Sequence, residues 1–155
     1  MIKEGIELAR FLRDGYQAKS SQEAGKRQVR ETLHREIRLN AELVEEASKV
    51  FKNDPTLSKA LLSRLQTDGF DAVSMAGLPL ADIFDANWSV SNHPDLMYQD
   101  WFRGISQVSE LVERSYHRIR IQQIRNEVEQ SKDSRSLGYL RVLLRKAAQA
   151  TKPSV

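Results

Sequence analysis

Residues 29–51, VRETLHREIRLNAELVEEASKVF, carry the pattern that decides the fold. Apolar side chains recur there every three or four positions, which places them on one face of an α-helix. The members of this face are Val29, Leu33, Ile37, Ala41, Val44, Ala47 and Phe51. Such a face must be buried against another element. The stretch therefore predicts a long amphipathic helix that packs in an all-α protein.

The same apolar spacing occupies the N-terminus, at Ile2, Ile6, Ala9, Leu12 and Tyr16. The pattern weakens through the polar residues 17–26, but no proline separates the two stretches. We interpret residues 3 to 52 as one long N-terminal helix, continuous or slightly broken. At 1.5 Å per residue, a continuous helix would be about 75 Å long, more than the other helices can cover. The excess length predicts that part of the apolar face packs against a second copy of the chain.

Further helices are predicted downstream. Asn53-Asp54-Pro55 predicts a helix start, because Asp54 can accept hydrogen bonds from free amides and Pro55 has no amide hydrogen to leave unpaired. A third helix is predicted from Pro94 to about residue 130, and a last one after about residue 134. The apolar faces of these two helices are Trp101, Ile105, Val108, Val112, Ser115 and Ile119, and Leu137, Leu140, Leu144 and Ala147.

Residues 68–95 contain two glycines and two prolines but are rich in apolar side chains. Because glycine and proline interrupt long helices, this segment is predicted to be an irregular elbow with short helices around 70–76 and 79–85. Its apolar content predicts that it folds onto the other helices. No stretch alternates apolar and polar residues as a half-buried strand does. The expected fold is an all-α helical bundle of about four main helices in a single domain, 1–155.

The composition limits the function classes. The chain has 155 residues, of which 40% are hydrophobic and 29% charged, which suits one globular domain and not a disordered chain. It has no cysteine, so disulfides, thiol catalysis and cysteine-ligated zinc are excluded. No apolar run is long enough to predict a membrane-spanning helix, and the polar first residues do not resemble a signal peptide. We expect a cytoplasmic protein without a membrane partner.

The net charge of +3 conceals a division along the chain. Residues 1–52 carry a net +2, residues 53–113 a net −6 and residues 114–155 a net +7. Basic residues of the last segment recur at spacings of four and seven, which places them on one side of each helix. The two sets with this spacing are Arg114, Arg118 and Arg125, and Arg141, Arg145 and Lys152, with Lys146 beside the second set. Six of these residues form a possible binding surface for an anionic partner, here called the C-terminal basic stripe: Arg114, Arg118, Arg125, Arg141, Arg145 and Lys146.

Two other interpretations leave this stripe without an external partner. The stripe could be an ordinary solvated helix face, or the acidic elbow could neutralise it by folding back. The aspartates available for this are Asp68, Asp71, Asp82, Asp85, Asp95 and Asp100. If nucleic acid is the partner, the arginines would contact phosphates, giving salt-sensitive and largely sequence-blind binding. Tyr116 and Tyr139 are the aromatic residues interleaved with the stripe, and both are expected in the core.

No catalytic, metal or cofactor site is predicted. The histidines are His34, His93 and His117. A metal site in a helical bundle needs about four converging ligands, whereas Glu31 and Glu113 each precede one histidine at helical spacing. The sequence also lacks a Gly-x-Ser-x-Gly turn and a glycine-rich phosphate loop. We therefore expect no catalytic residues, no metal and no cofactor.

Arg27 and His34 are separated by six residues, so they lie two turns apart on one helix face. This pair resembles the Arg and His of HEPN-type ribonucleases, helical proteins in which four to six residues separate the Arg from the His that follows it. The resemblance covers only these two residues, and Gln28 stands after the Arg, where a polar residue is common. It implies that Arg27 would stabilise phosphate charge and that His34 would move a proton, across a homodimer.

The preferred interpretation is a non-catalytic helical protein that acts through protein–protein association, as a homo-oligomer or as a component of a larger assembly. It rests on the length of the predicted N-terminal helix and on the lack of a catalytic set of residues in the sequence. The first alternative is a nucleic-acid-binding module that uses the C-terminal basic stripe. The second is a HEPN-like ribonuclease.

Overall fold

The computed structural model describes residues 2–18, 23–92, 98–128 and 134–153. Within these ranges the protein is all-α, as predicted, and its helices are α1 (Ile2–Ala18), α2 (Glu23–Val50), α3 (Pro55–Leu62), α4 (Asp68–Met75), α5 (Leu80–Ile83), α6 (Val108–Val128) and α7 (Ser134–Thr151). Short 3-10 helices cover Val90–Asn92 and Gln99–Phe102. None of the helices in these ranges has the length and apolar character needed to cross a membrane.

The central helix is α2, which packs against α1, α3 and α7. Its predicted apolar face forms the middle of the core, where Val29, Leu33, Ile37, Val44 and Ala47 are fully buried. The predicted face of α7 lies in the same core, with Leu137, Leu140, Leu144 and Ala147 buried. The apolar spacing therefore identified the buried faces of both helices.

The structure divides the predicted N-terminal helix into α1 and α2 and packs one against the other. They approach closely at two glycines: a Cβ atom on Gly25 would lie 2.6 Å from the Cα of Tyr16, and one on Gly15 would lie 2.6 Å from the side chain of Gln28. On a continuous helix, Gly15 and Gln28 would be about 20 Å apart, so the chain turns back between α1 and α2. The turn itself, residues 19–22, lies outside the described residues.

This reversal covers much of the apolar face of α1 within the chain. Ala9 and Leu12 are buried, while Ile6 remains 43% exposed, and α4 packs against the same helix. A continuous helix of about 75 Å is therefore not formed. The excess length from which self-association was predicted is absent, so that prediction loses its original support.

The third long helix begins later than predicted. Residues 93–97, which hold the predicted start, lie outside the described residues, and α6 begins at Val108. Gly104 has a φ of 86°, in the left-handed region that a right-handed helix cannot include. The amide of Trp88 donates to the carbonyl of Ser106 at 2.9 Å, which ties the segment before α6 to the elbow. Two residues of the predicted face therefore precede the helix: Trp101 and Ile105.

The other local predictions are confirmed. Asp54 caps α3, since its Oδ1 accepts a hydrogen bond from the amide of Leu57 at 3.0 Å, and Pro55 is the first residue of that helix. The elbow contains the short helices α4 and α5. It folds onto the bundle, because Phe84 and Trp88 are buried.

A carboxylate of α2 fixes the position of the elbow. Glu36 accepts hydrogen bonds from the amides of Gly69 (2.7 Å) and Phe70 (3.2 Å), at the start of α4, where amides lack partners within the helix. The hydroxyl of Tyr116 on α6 donates to the same carboxylate at 2.7 Å. Burial and the adjacent Glu36 charge raise the pKa of Tyr116, which keeps its donor hydrogen in place. This network links α2, α4 and α6.

Candidate functional site

The structure places the C-terminal basic stripe on two helices. Its members on α6 are Arg114, Arg118 and Arg125, here called the α6 arginines, and its members on α7 are Arg141, Arg145 and Lys146. The two groups differ in the residues that surround them, and hence in their net exposed charge.

Two of the α6 arginines form hydrogen bonds with uncharged groups. Arg114 Nη1 donates a hydrogen bond to the backbone carbonyl of Trp101 at 3.0 Å. Arg118 Nη2 donates to Oγ of Ser136 at 3.2 Å. The guanidinium carbon of Arg118 also lies 5.2 Å from the centre of the Tyr139 ring, within the range of a cation–π interaction. These contacts orient both side chains without cancelling their charge.

Within the described residues, no carboxylate lies at ion-pair distance from an α6 arginine. The Nε atom of Arg118 is buried and has no hydrogen-bond partner there. Burial lowers the pKa of Arg118, and repulsion from Arg125 and Arg114 lowers it further. Like charges without a counter-charge favour the binding of an anion from solution.

Two arginines of α7, Arg141 and Arg145, have a carboxylate partner. Glu45 on α2 lies 2.9 Å from Arg145 and 3.6 Å from Arg141, measured between the nearest oxygen and nitrogen atoms. One negative charge is thus shared between two positive charges on the facing helix. Lys146 is half-buried, and it forms no ion pair with any residue of the described ranges.

Within the described residues, none of the elbow's aspartates lies at ion-pair distance from the stripe. Two of the six aspartates pair with other cations: Asp71 with Arg120, and Asp100 with Arg103 at 2.8 Å. Asp95 lies outside the described residues. The carboxylate that neutralises part of the stripe comes instead from α2.

An aromatic cluster borders two of the α6 arginines, Arg114 and Arg118. The ring of Trp101 lies 4.6 Å from that of Tyr139 and 5.1 Å from that of Tyr98, measured between ring centres. Phe102 lies 5.7 Å from Tyr139. Tyr139 is buried, as expected from the sequence, whereas Trp101 is 45% exposed. The cluster therefore presents a large aromatic ring to solvent beside guanidinium groups.

The position of Tyr98 in this cluster depends on a glycine of α7. Tyr98 has a φ of 62°, which is uncommon for a residue with a side chain. Its hydroxyl group occupies the space beside Gly138, where an added Cβ would lie only 2.5 Å from the Tyr98 oxygen. The missing side chain at residue 138 thus allows the tyrosine to pack against α7.

The structure does not join Arg27 to His34. Arg27 Nε donates to Glu31 at 3.1 Å, whereas Nδ1 of His34 lies 3.0 Å from Oγ1 of Thr151 on α7. His93 lies outside the described residues. Among the residues that are described, no three His, Asp or Glu side chains gather as metal ligands.

A groove of about 590 Å³ runs between α2 and α7. The charged and titratable side chains that line it are His34, Arg38, Glu42, Glu45, Arg141, Arg145 and Lys152. Cations outnumber carboxylates along this groove, here called the α2/α7 groove. Two members of the predicted stripe, Arg141 and Arg145, therefore belong to a concave surface and not to an open helix face.

Comparison of the chain with protein-family models, with curated proteins and with solved structures finds no match. Three residues that shape the candidate surfaces were not among the predicted site residues. Glu45 gives no sequence signal, because the arginines that it binds lie on a distant segment. Trp101 was assigned to a buried helix face. Lys152 does carry a signal, since it lies seven positions after Arg145.

Proposed function

We propose that this protein binds single-stranded nucleic acid through the α6 arginines and the adjacent aromatic cluster. The observation that carries the proposal is that Arg114, Arg118 and Arg125 have no carboxylate at ion-pair distance in the described residues. Guanidinium groups bind phosphate oxygens strongly, through paired hydrogen bonds. The exposed ring of Trp101 lies beside them and offers a surface on which a base can stack.

This arrangement favours a particular mode of binding. Phosphate contacts position a strand without reading its sequence, and every base has an aromatic face that can stack on a tryptophan. We therefore expect affinity that depends strongly on salt and weakly on sequence. Single strands should bind more tightly than duplexes, because stacking on Trp101 requires an unpaired base.

Fluorescence anisotropy with a labelled single strand of about 20 nucleotides, longer than the site of one small domain, tests the proposal. The combined replacement Arg114→Gln, Arg118→Gln and Arg125→Gln should lower the affinity at least about tenfold. The slope of log K against log salt should fall by about 2, because each phosphate contact to a single strand contributes about 0.7. Trp101→Leu should reduce the preference for single strands over duplexes.

A matched variant controls for total charge. Lys3→Gln, Arg10→Gln and Arg13→Gln remove the same charge from exposed positions of α1 and should leave the salt slope unchanged. Equal losses in the two triple variants would mean that only net charge matters. A parent protein that fails to bind nucleic acid at low salt would contradict the proposal outright.

A second proposal is self-association, which one observation favours independently of helix length. Ile124 and Val128, near the end of α6, are 62% and 75% exposed. Ile124 also lines a groove of about 430 Å³ together with Leu62 of α3. Burying such a patch against a second copy would remove apolar surface from water. Sedimentation at micromolar concentration tests the self-association. The double replacement Ile124→Ser with Val128→Ser should dissociate the oligomer. A parent protein that is monomeric under these conditions would contradict the proposal.

A further inference from the structure

One end of the α2/α7 groove holds a second set of cationic groups, separate from the α6 arginines. His34 and Arg38 of α2 line this end together with Lys152, which follows α7. Both cations lie close enough to His34 to affect its titration. Ala41 and Ala148 also line the groove, and their short side chains leave its interior open.

Hydrogen bonds determine which nitrogen of His34 carries the hydrogen. Oγ1 of Thr151 donates its single hydrogen to the carbonyl of Ala147 at 2.7 Å. The same oxygen lies 3.0 Å from His34 Nδ1, so Nδ1 is the donor in that contact. The neutral ring therefore has an unprotonated Nε2. This nitrogen can take up a proton and then donate a hydrogen bond to an anion.

The carboxylates of the groove already have partners. Glu45 is shared by two arginines of α7, and Glu42 lies 3.4 Å from Arg38. Lys152 has no carboxylate at ion-pair distance within the described ranges. The end of the groove at His34 therefore carries an excess of positive charge.

We propose that this end of the α2/α7 groove binds a phosphate monoester and that His34 takes up one proton from solvent as the monoester binds. Lys152 and Arg38 supply positive charge to the phosphate, and protonated His34 donates a hydrogen bond from Nε2. The organic part of the ligand lies along the rest of the groove. No covalent bond forms or breaks. Mononucleotides and phosphorylated side chains share this chemistry.

Proton uptake follows from the charges around the ring. Burial lowers the pKa of His34, and the charges of Arg38 and Lys152 lower it further. A bound dianion offsets those two charges, so the pKa of His34 is higher in the complex than in the free protein. By linkage, affinity increases as the pH falls through the interval between the two pKa values. The other charged groups that line the groove are Glu42, Glu45, Arg141 and Arg145.

Proton NMR of the histidine rings between about pH 8 and about pH 5 tests this inference. The probes are inorganic phosphate, adenosine monophosphate and O-phosphoserine, each compared with chloride at equal ionic strength. The titration midpoint of His34 should move to higher pH with each probe, while that of the exposed His117 should not. Tighter binding of adenosine monophosphate than of phosphoserine assigns the site to nucleotides, and the reverse order assigns it to phosphorylated side chains.

Sulfate separates protonation of the protein from protonation of the ligand, since its charge is constant over this pH range. Its affinity, measured by calorimetry, should rise severalfold as the pH falls, and His34→Gln should remove the rise. Lys152→Gln should weaken phosphate binding about tenfold, whereas Lys59→Gln, the same charge change at an exposed position of α3, should not. An His34 titration that is identical in phosphate and chloride, or equal responses of the two lysine variants, would overturn the proposal.

Discussion

Helices α6 and α7 each carry two arginines four positions apart, but within the described residues only those of α7 have a carboxylate partner. Arg141 and Arg145 share Glu45 of the facing helix α2. Arg114 and Arg118 donate instead to a backbone carbonyl and a hydroxyl group, both of which are neutral. The two helices therefore present different exposed charges although they share the same spacing of arginines.

The difference shows what controls the charge of a helix surface. Spacing on one helix places cations on a common face, but the helix that packs beside it determines whether the face stays charged. The ion pairs of Glu45 are half-exposed, and such pairs contribute at most about 1 kcal/mol to folding. Their main consequence is for ligand binding, because a paired arginine is less available to phosphate than an unpaired one.

The largest expected effect in this comparison comes from placing a carboxylate beside one of the α6 arginines. Ser136 accepts a hydrogen bond from Arg118, so Ser136→Glu places a negative charge beside that guanidinium group. Affinity for single-stranded nucleic acid should fall about tenfold, and the salt slope should decrease by about 0.7, the contribution of one phosphate contact. Ser136→Gln has a similar size and no charge and should have little effect. Unchanged binding by Ser136→Glu would show that Arg118 does not contact the strand.

Removing the carboxylate that α2 provides to the α7 arginines should have a smaller effect of opposite sign. Glu45→Gln frees Arg141 and Arg145, so affinity for nucleic acid should rise about threefold when the strand extends over α7. Glu46→Gln is the matched control, because among the residues that the structure describes Glu46 pairs with Lys49 of its own helix. Fluorescence anisotropy with the labelled single strand measures the affinity of both variants. An equal rise in the two would mean that net charge, and not the position of the carboxylate, governs affinity.

The smallest expected effect is the contribution of the Glu45 ion pairs to the free energy of unfolding. A double-mutant cycle in urea between Glu45→Gln and Arg145→Gln should give a coupling of about 0.5 kcal/mol, as for other half-exposed pairs. The cycle with Arg141→Gln should give less, because that pair is longer, 3.6 Å against 2.9 Å. A coupling to Arg141 equal to or larger than that to Arg145 would contradict the geometry at Glu45.

Those parts of the fold that depend on neighbouring residues could be predicted from the sequence. The buried face of α2 follows from the spacing of Val29, Leu33 and Ile37, and the cap at Asp54 follows from local hydrogen-bond chemistry. The reversal of the chain between α1 and α2 could not be predicted from the sequence. Two glycines indicate where helices can approach closely, but they do not indicate which helices meet. Similarly, the late start of α6 depends on backbone pairing with a distant part of the elbow.

For the candidate surfaces too, the sequence predicts local spacing but not contacts between distant segments. The sequence identified the positions of Arg118 and Arg145, since their spacing is a local property. It could not assign their charge environment, because the carboxylate at Glu45 lies a hundred positions from Arg145. The exposure of the Trp101 side chain could not be predicted either, since its position in a 3-10 helix depends on how the segment before α6 packs. Contacts between distant segments decide what these residues can bind.

The contact between Tyr98 and Gly138 has a consequence for the entropy and rate of binding. The tyrosine is held against α7, and its ring packs 5.1 Å from that of Trp101. In the proposed binding mode, this packing would hold the ring of Trp101 in place before a base arrives, so less side-chain freedom would be lost on stacking than with a mobile ring. Binding of a strand to such a surface would need no rearrangement. Differences in affinity among strands should then be found mainly in how fast they dissociate.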